Sequence, residues 1–258
     1  MKNEFGYISE NLRVIKENAA EAADKYRGGV MPRIMAVTKT VSPEAVNYAV
    51  SLGIGLLGEN RVQEFLSKQE SYDPSAEVHF IGHLQTNKVK YIIEPMTMIQ
   101  SVDSLKLGTE ISRLAAIHGK TMDVLCEVNI GGEDSKSGVS PSELVPLLEQ
   151  LAQLEGIRVK GLMTIPPPSD GDIFLGKMEE LFNNIKDRNI SGISMDELSM
   201  GMTHDYAEAI QHGSTIVRIG TGLFGARDYG TKKCLKRHSC KYPTKSSEYR
   251  ELPSQGFV

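Results

Sequence analysis

The stretch Arg33-Ile34-Met35-Ala36-Val37-Thr38-Lys39-Thr40-Val41-Ser42-Pro43-Glu44-Ala45-Val46-Asn47-Tyr48-Ala49-Val50-Ser51-Leu52-Gly53-Ile54-Gly55-Leu56-Leu57-Gly58 holds the repeating unit of the chain. Residues 33–38 form a short, almost continuous apolar run, the pattern of a strand covered on both faces. Ser42 and Pro43 then supply an N-cap and a first helical residue, and residues 43–52 have a helical pattern. A second apolar run follows at 55–58. Strand, helix and strand with no hairpin signal make a βαβ unit, and its two strands must be parallel.

The same rhythm extends in both directions. Apolar runs occur at 33–38, 55–58, 78–82, 96–102, 123–130, 159–165, 197–200 and 215–220, eight in all. Helical patterns separate them at 43–52, 61–68, 104–118, 141–154 (Ser140 as N-cap), 172–188 and 204–212. Upstream, Ile8, Leu12, Ile15, Ala19 and Ala22 mark the apolar stripe of a leading helix over 8–27. Eight βα units with no second domain point to a single (β/α)₈ barrel over residues 1–230. An open doubly wound sheet is the alternative. It is weakened because no GxGxxG follows the first strand.

Composition narrows the class. The 258 residues are 40% hydrophobic and 24% charged, ordinary values that exclude collagenous, low-complexity and largely disordered chains. No run approaches the roughly 20 apolar residues of a membrane helix, and the charged N-terminus has no signal-peptide centre. Three cysteines are too few for a disulfide framework, so a cytoplasmic location is expected. Residues 229–258 carry seven Lys/Arg and two Glu, a net +5, which leaves −9 on the preceding body. Residues 231–258 therefore read as a basic, flexible tail, and the acidic body argues against a nucleic-acid partner.

In a barrel of this type, chemistry gathers at the carboxyl ends of the strands. Three features there stand out. Lys39 closes the first apolar strand, where an amine can serve Schiff-base chemistry, although a lysine can also snorkel outward to solvent. The glycine-rich segments Ser199-Met200-Gly201-Met202-Thr203 and Gly220-Thr221-Gly222-Leu223-Phe224-Gly225 follow strands seven and eight. Barrels often bind phosphate at these loops, and Thr203 reads as both N-cap and hydroxyl donor. Arg218 sits inside Ile216-Val217-Arg218-Ile219, where it must find a partner or face the barrel mouth. His79 and His83 lie too far apart along one strand to form a metal pair, and Cys234, His238 and Cys240 fit no standard site, so no metal is expected. His118 and His212 end helical patterns, where the dipole favours a cation. Residues 133–138 form a polar loop of lid-like composition.

Lys39, Gly58-Glu59-Asn60, His79-Phe80-Ile81-Gly82-His83-Leu84-Gln85-Thr86-Asn87-Lys88, and Arg218-Ile219-Gly220-Thr221 through Phe224-Gly225-Ala226-Arg227 form a recognisable set. With these motifs in register from about residue 5 to Tyr229, the chain resembles the pyridoxal 5′-phosphate (PLP) homeostasis protein family, the YggS/PROSC group. The resemblance implies a stand-alone barrel similar to the N-terminal domain of alanine racemase, with PLP held as an internal aldimine on Lys39. It also implies Asn60 near the cofactor ring, Arg218 facing the pyridine nitrogen, and Met200, Gly201, Thr203, Gly220 and Thr221 around the phosphate. His83, Lys136 and Met163 are accessory candidates, with Lys136 assisting amine exchange. Two departures are visible. The family usually has Ser where this chain has Thr203, which keeps the hydroxyl, and an acidic residue where it has His204.

The implied role is a non-catalytic PLP carrier acting in intracellular PLP homeostasis, with PLP released or passed to apo PLP-dependent enzymes. A racemase-like enzyme of weak activity is the alternative. Racemisation needs an acid and a base on opposite faces of the substrate. In alanine racemase-like enzymes a tyrosine from a second, β-rich domain opposes the lysine, and no residues are expected to be left for such a domain here. A class I aldolase would use the same lysine and phosphate cup without a cofactor. No interface pattern stands out, so a monomer is expected.

Overall fold

The computed structural model describes residues 4–133, 135–167 and 171–226. The expected tail, 231–258, lies outside the described residues. A leading helix α1 (Gly6–Tyr26) precedes β1 (Arg33–Val37), α2 (Pro43–Ser51), β2 (Leu56–Glu59), α3 (Val62–Leu66), β3 (Glu77–Phe80) and β4 (Met98–Val102). There follow α4 (Leu105–Ile117), β5 (Met122–Glu127), α5 (Leu144–Leu151), β6 (Ile157–Met163), α6 (Gly171–Asp187), β7 (Ile193–Ser199), α7 (Tyr206–Gln211), β8 (Ile216–Ile219) and the short α8 (Thr221–Phe224). The strands pair in parallel in sequence order, and β1 pairs with β8 to close the barrel. The expected eight-stranded barrel is thus the fold, and the open sheet is excluded.

Strand alternation sorts the side chains into two layers. Ala36, Leu57, Phe80, Ile99, Val124, Leu162, Leu198 and Val217 face outward and bury against the helices in one large core. Full burial of each large side chain contributes about 1.5–3 kcal/mol, so this layer dominates stability. Met35, Val37, Leu56, Ile81 and Ile216 form an inner cluster, and Met98, Leu125 and Met163 form a second. The inner filling is unusual in also holding His79, Gln100, Ser199 and Arg218, all buried. On β1 the inward positions are Met35 and Val37, and two residues further on lies Lys39. The same spacing on β2 runs from Leu56 through Gly58 to Asn60.

Local capping follows the sequence at α2 and α4, where Ser42 and Ser104 accept the N–H groups of Ala45 and Leu107. It fails at two expected caps. Ser140 does not cap α5, which begins at Leu144. Its hydroxyl instead donates to the Glu143 carboxylate at 2.6 Å, and this local bond competes with the helix start. Thr203 does not cap α7, whose N-cap position is Asp205. The Asp205 carboxylate takes the Met202 N–H at 2.6 Å, which leaves the Thr203 hydroxyl free to face the next loop.

His212 does follow α7, but its partners are carboxylates as well as a helix end. Its ring nitrogens lie 2.8 Å from Glu179 and 3.1 Å from Asp172, both on α6. Burial works to lower its pKa, but the two carboxylates outweigh burial and raise it above 6.5. The stabilisation is therefore fully present below about pH 6.5 and is lost as pH rises through the raised folded value. Because both carboxylates reach solvent, it should amount to about 0.2–1 kcal/mol. His212→Gln should remove this acid-side gain in thermal melts across pH 5.5–8.5. An identical pH dependence in both proteins would show that the pair contributes nothing.

Candidate functional site

At the carboxyl ends of the strands lies a cavity of about 290 Å³. Val37, Ile81, Ile165 and Met202 give it apolar walls, while Lys39, Asn60, Thr203, His204, Arg218, Gly220 and Thr221 supply its polar groups. Lys39 is half-buried and, among the described residues, makes no hydrogen bond or ion pair, so its amine is available to a ligand. Asn60 arrives from the end of β2. Its loop is reached so closely by the chain after β3 that a Cβ on Gly82 would lie 2.1 Å from the Asn60 carbonyl oxygen. Glycine at position 82 is therefore what lets these two strand ends meet. The Asn60 Oδ1 is buried and has no hydrogen-bond partner, an acceptor left open on the cavity wall.

Arg218 is a buried cation with only neutral partners. Its guanidinium donates to the Ser199 carbonyl at 2.7 Å, to the Ser199 hydroxyl at 2.9 Å and to the Thr164 carbonyl at 2.7 Å. Burial lowers its pKa to about 10, which still leaves it charged at neutral pH. A polar chain runs below it through the barrel. Ser199 donates to Gln100 Oε1 at 2.7 Å, which turns the Gln100 amide nitrogen toward His79 Nδ1 at 2.9 Å. Burial, with Arg33 nearby, pushes the His79 pKa down to about 3, so the ring is neutral and its proton sits on Nε2.

The loops after β7 and β8 are joined by one hydroxyl. Thr203 Oγ1 accepts the Gly222 N–H at 3.1 Å and the Thr221 hydroxyl at 3.4 Å. A Cβ on Gly222 would stand 2.8 Å from the Thr203 methyl group, so this contact requires glycine.

Of the residues singled out in the sequence, Lys39, Asn60, Thr203, Arg218, Gly220 and Thr221 line this one cavity. Met200 and Gly201 do not. The Met200 side chain belongs to the outer core, while Gly201 supports the site from behind by accepting the Arg218 N–H at 2.9 Å. Met163 is buried deeper, against Met98 and Leu125. His83 is exposed, with Nδ1 3.9 Å from Asp103. Lys136 pairs with Glu133 at 2.5 Å and lines a neighbouring cavity, with Ile165 as the shared wall. Sequence reading missed Val37, Ile81, Ile165 and Met202 as lining residues. The first three lie at inward positions of their strands or two residues beyond, so the period-2 pattern extended past the strand end would have found them. Among the described residues no cluster of three metal-ligating side chains occurs, and no helix is long and apolar enough to cross a membrane.

Residues 11–228 match the family model for the alanine racemase N-terminal domain. A pyridoxal phosphate homeostasis protein from Aquifex aeolicus is 42% identical over 226 residues, 85% of this chain and 98% of that protein. The chain belongs to the pyridoxal phosphate homeostasis protein family. A second member of the pyridoxal phosphate homeostasis family, from Escherichia coli K12, is 36% identical over 236 residues, covering 87% of this chain and 99% of that protein. Among solved structures, PipY of Synechococcus elongatus with PLP bound superposes with a TM-score of 0.74 at 28% identity, covering 84% of this chain and all of that one. Alanine racemase from Corynebacterium glutamicum gives a TM-score of 0.65 at 16% identity, over 90% of this chain and 64% of that enzyme, which establishes a shared barrel.

Proposed function

We propose that this protein binds PLP in the cavity at the barrel mouth, keeps it there covalently through Lys39, and releases it in the service of PLP homeostasis. The observation that carries the reading is the donor set itself: an available half-buried amine, a buried cation without a carboxylate partner, and an open buried acceptor on Asn60, all on one cavity. These residues fit the cofactor. The cofactor supplies an aldehyde that condenses reversibly with primary amines.

Each protein group has a definable task. Lys39 presents the amine. Arg218, fixed by Ser199 and Thr164, presents a donor that keeps its proton. The hydroxyls of Thr203 and Thr221, with the glycines beside them, form a cradle suited to an anion. Val37, Ile81, Ile165 and Met202 would give the cofactor an apolar wall. The family's homeostasis names and the PLP-bound PipY structure support this assignment. Apo PLP-dependent enzymes as recipients, a cytoplasmic setting and a monomeric state are further parts of the proposal. Cys126 is buried, and burial pushes its thiol pKa up to about 12.

The direct test is the absorption spectrum of freshly purified protein. A visible band that borohydride removes is expected, and a colourless protein that gains no band when PLP is added would overturn the assignment. A finer test addresses the cradle. Hydrogen bonds to charged groups contribute about 1.5–3 kcal/mol each, so Thr203→Ala should weaken PLP retention tenfold or more. Thr203→Ser keeps the hydroxyl and should stay close to the parent. An unchanged dissociation constant in the alanine variant would mean that Thr203 serves only to join the two loops.

A further inference from the structure

The turn that carries Lys39 is built on an unfavourable residue. The Val41 N–H donates to the Thr38 carbonyl at 3.0 Å, closing a four-residue turn with Lys39 and Thr40 as its central pair. Thr40 occupies φ +63°, a left-handed conformation that glycine or asparagine adopts readily and a β-branched residue does not. Something else must hold it there.

Two carboxylates hold the turn. Glu64 on α3 accepts the Thr40 N–H at 2.5 Å, and the Lys68 ammonium bonds the same carboxylate at 2.6 Å and the Thr38 carbonyl at 3.2 Å. Both Glu64 and Lys68 are largely buried, with side-chain exposures of 17% and 13%. Burial opposes charge on Glu64, but Lys68 and the Thr40 N–H outweigh it and hold the carboxyl below its usual range. Glu59, at the end of β2, accepts the Thr38 hydroxyl at 2.8 Å and the Tyr72 hydroxyl at 2.5 Å. Of residues 38–40 Lys39 alone lines the cavity, while Thr38 is held through its hydroxyl and Thr40 through its backbone N–H.

We propose that Glu64, supported by Lys68, is a positioning residue that holds the strained turn and thereby fixes where the Lys39 amine stands. This rests on the reading of Lys39 as the attachment point. The Lys68 bridge to Thr38 makes the device a clamp across the turn and not a single bond. If Glu64 is needed because Thr40 resists its conformation, then glycine at position 40 should remove most of that need.

The test uses the full-length protein with Glu64→Ala, Glu64→Gln, Thr40→Gly, the Glu64→Ala/Thr40→Gly pair and Lys39→Ala. Hydrogen exchange of the peptide covering residues 38–41 is followed without cofactor, and the PLP dissociation constant is read from the visible band. Glu64→Ala should raise exchange in this peptide and weaken PLP binding, each by about tenfold, the scale of one charge-assisted hydrogen bond. Glu64→Gln keeps the acceptor but not the charge that binds Lys68, and should lose less than Glu64→Ala in both readouts. In the paired variant, binding should return to within about threefold of Thr40→Gly alone, since non-additivity is what a shared device produces. Equal losses from Glu64→Ala with Thr or Gly at position 40, or no local change in exchange, would overturn the clamp. If Glu64→Ala alone does not fold, the paired variant must fold and bind, and its failure to do so overturns the proposal as well. Retention of the visible band by Lys39→Ala would refute the attachment reading instead, while the exchange measurement would still judge the clamp.

Discussion

Lys39→Ala should abolish the visible absorption of the purified protein while leaving its melting temperature nearly unchanged. Lys39 stands two residues beyond Val37 on the inward-facing register of β1 and lines the cavity. Its amine makes no bond to another described residue, so removing it strands no partner. A half-exposed side chain without such ties should change stability by no more than about 0.5 kcal/mol. The spectral effect, by contrast, should be complete, because the cavity wall offers no second primary amine: its other cation, Arg218, is a guanidinium committed to Ser199 and Thr164. Weak non-covalent retention through Thr203, Thr221 and Arg218 should survive and be measurable by dialysis. Borohydride trapping followed by peptide mapping decides the matter. A pyridoxyl group on Lys136, or on any lysine other than Lys39, would sink the assignment.

The barrel was legible because its signal is local and repeated. Each unit announces itself by a short apolar run and a helical pattern, and closure follows from counting eight of them. The boundaries were less legible where a strand begins outside the buried layer. β7 starts at Ile193, four residues before the apolar run, because Ser194 and Asp196 carry the strand without marking it as apolar. Lys39, Asn60, Arg218 and the two glycine-rich loops could be picked out because polar or glycine residues interrupt apolar strands at their ends. The chain from Arg218 through Ser199 and Gln100 to His79 could not be read in the same way. Its links join residues 19, 99 and 21 positions apart, and each residue alone looks like an ordinary polar strand position. The turn at Thr40 was hidden for a related reason. Threonine gives no sign of a positive φ, and the carboxylate that holds it there lies 24 residues downstream.

Incubation of the PLP-loaded protein with a panel of L- and D-amino acids should give less than about one turnover per second, the low end of typical enzymes. Racemisation requires proton transfer on both faces of the substrate, and each positioned acid or base contributes about 10²–10⁴-fold. The titratable groups on the cavity wall are Lys39, His204 and Arg218. Arg218 keeps its proton at neutral pH, since its pKa of about 10 lies well above the working range, and three of its hydrogen bonds fix the guanidinium in place. It can orient a ligand but cannot serve as the acid. Glu127, the nearby carboxyl whose pKa burial raises, lines the neighbouring cavity and not this one. Only His204 remains to face Lys39, and it lies on the loop before α7 with no hydrogen bond among the described residues to orient it. An imidazole left free to rotate is a poor general acid, because catalysis of this kind depends on a fixed proton position. His204→Asn should accordingly leave any residual rate unchanged within about twofold, where a working acid would cost at least 10²-fold. Turnover above one per second that collapses in His204→Asn would establish a racemase-like enzyme and displace the carrier reading.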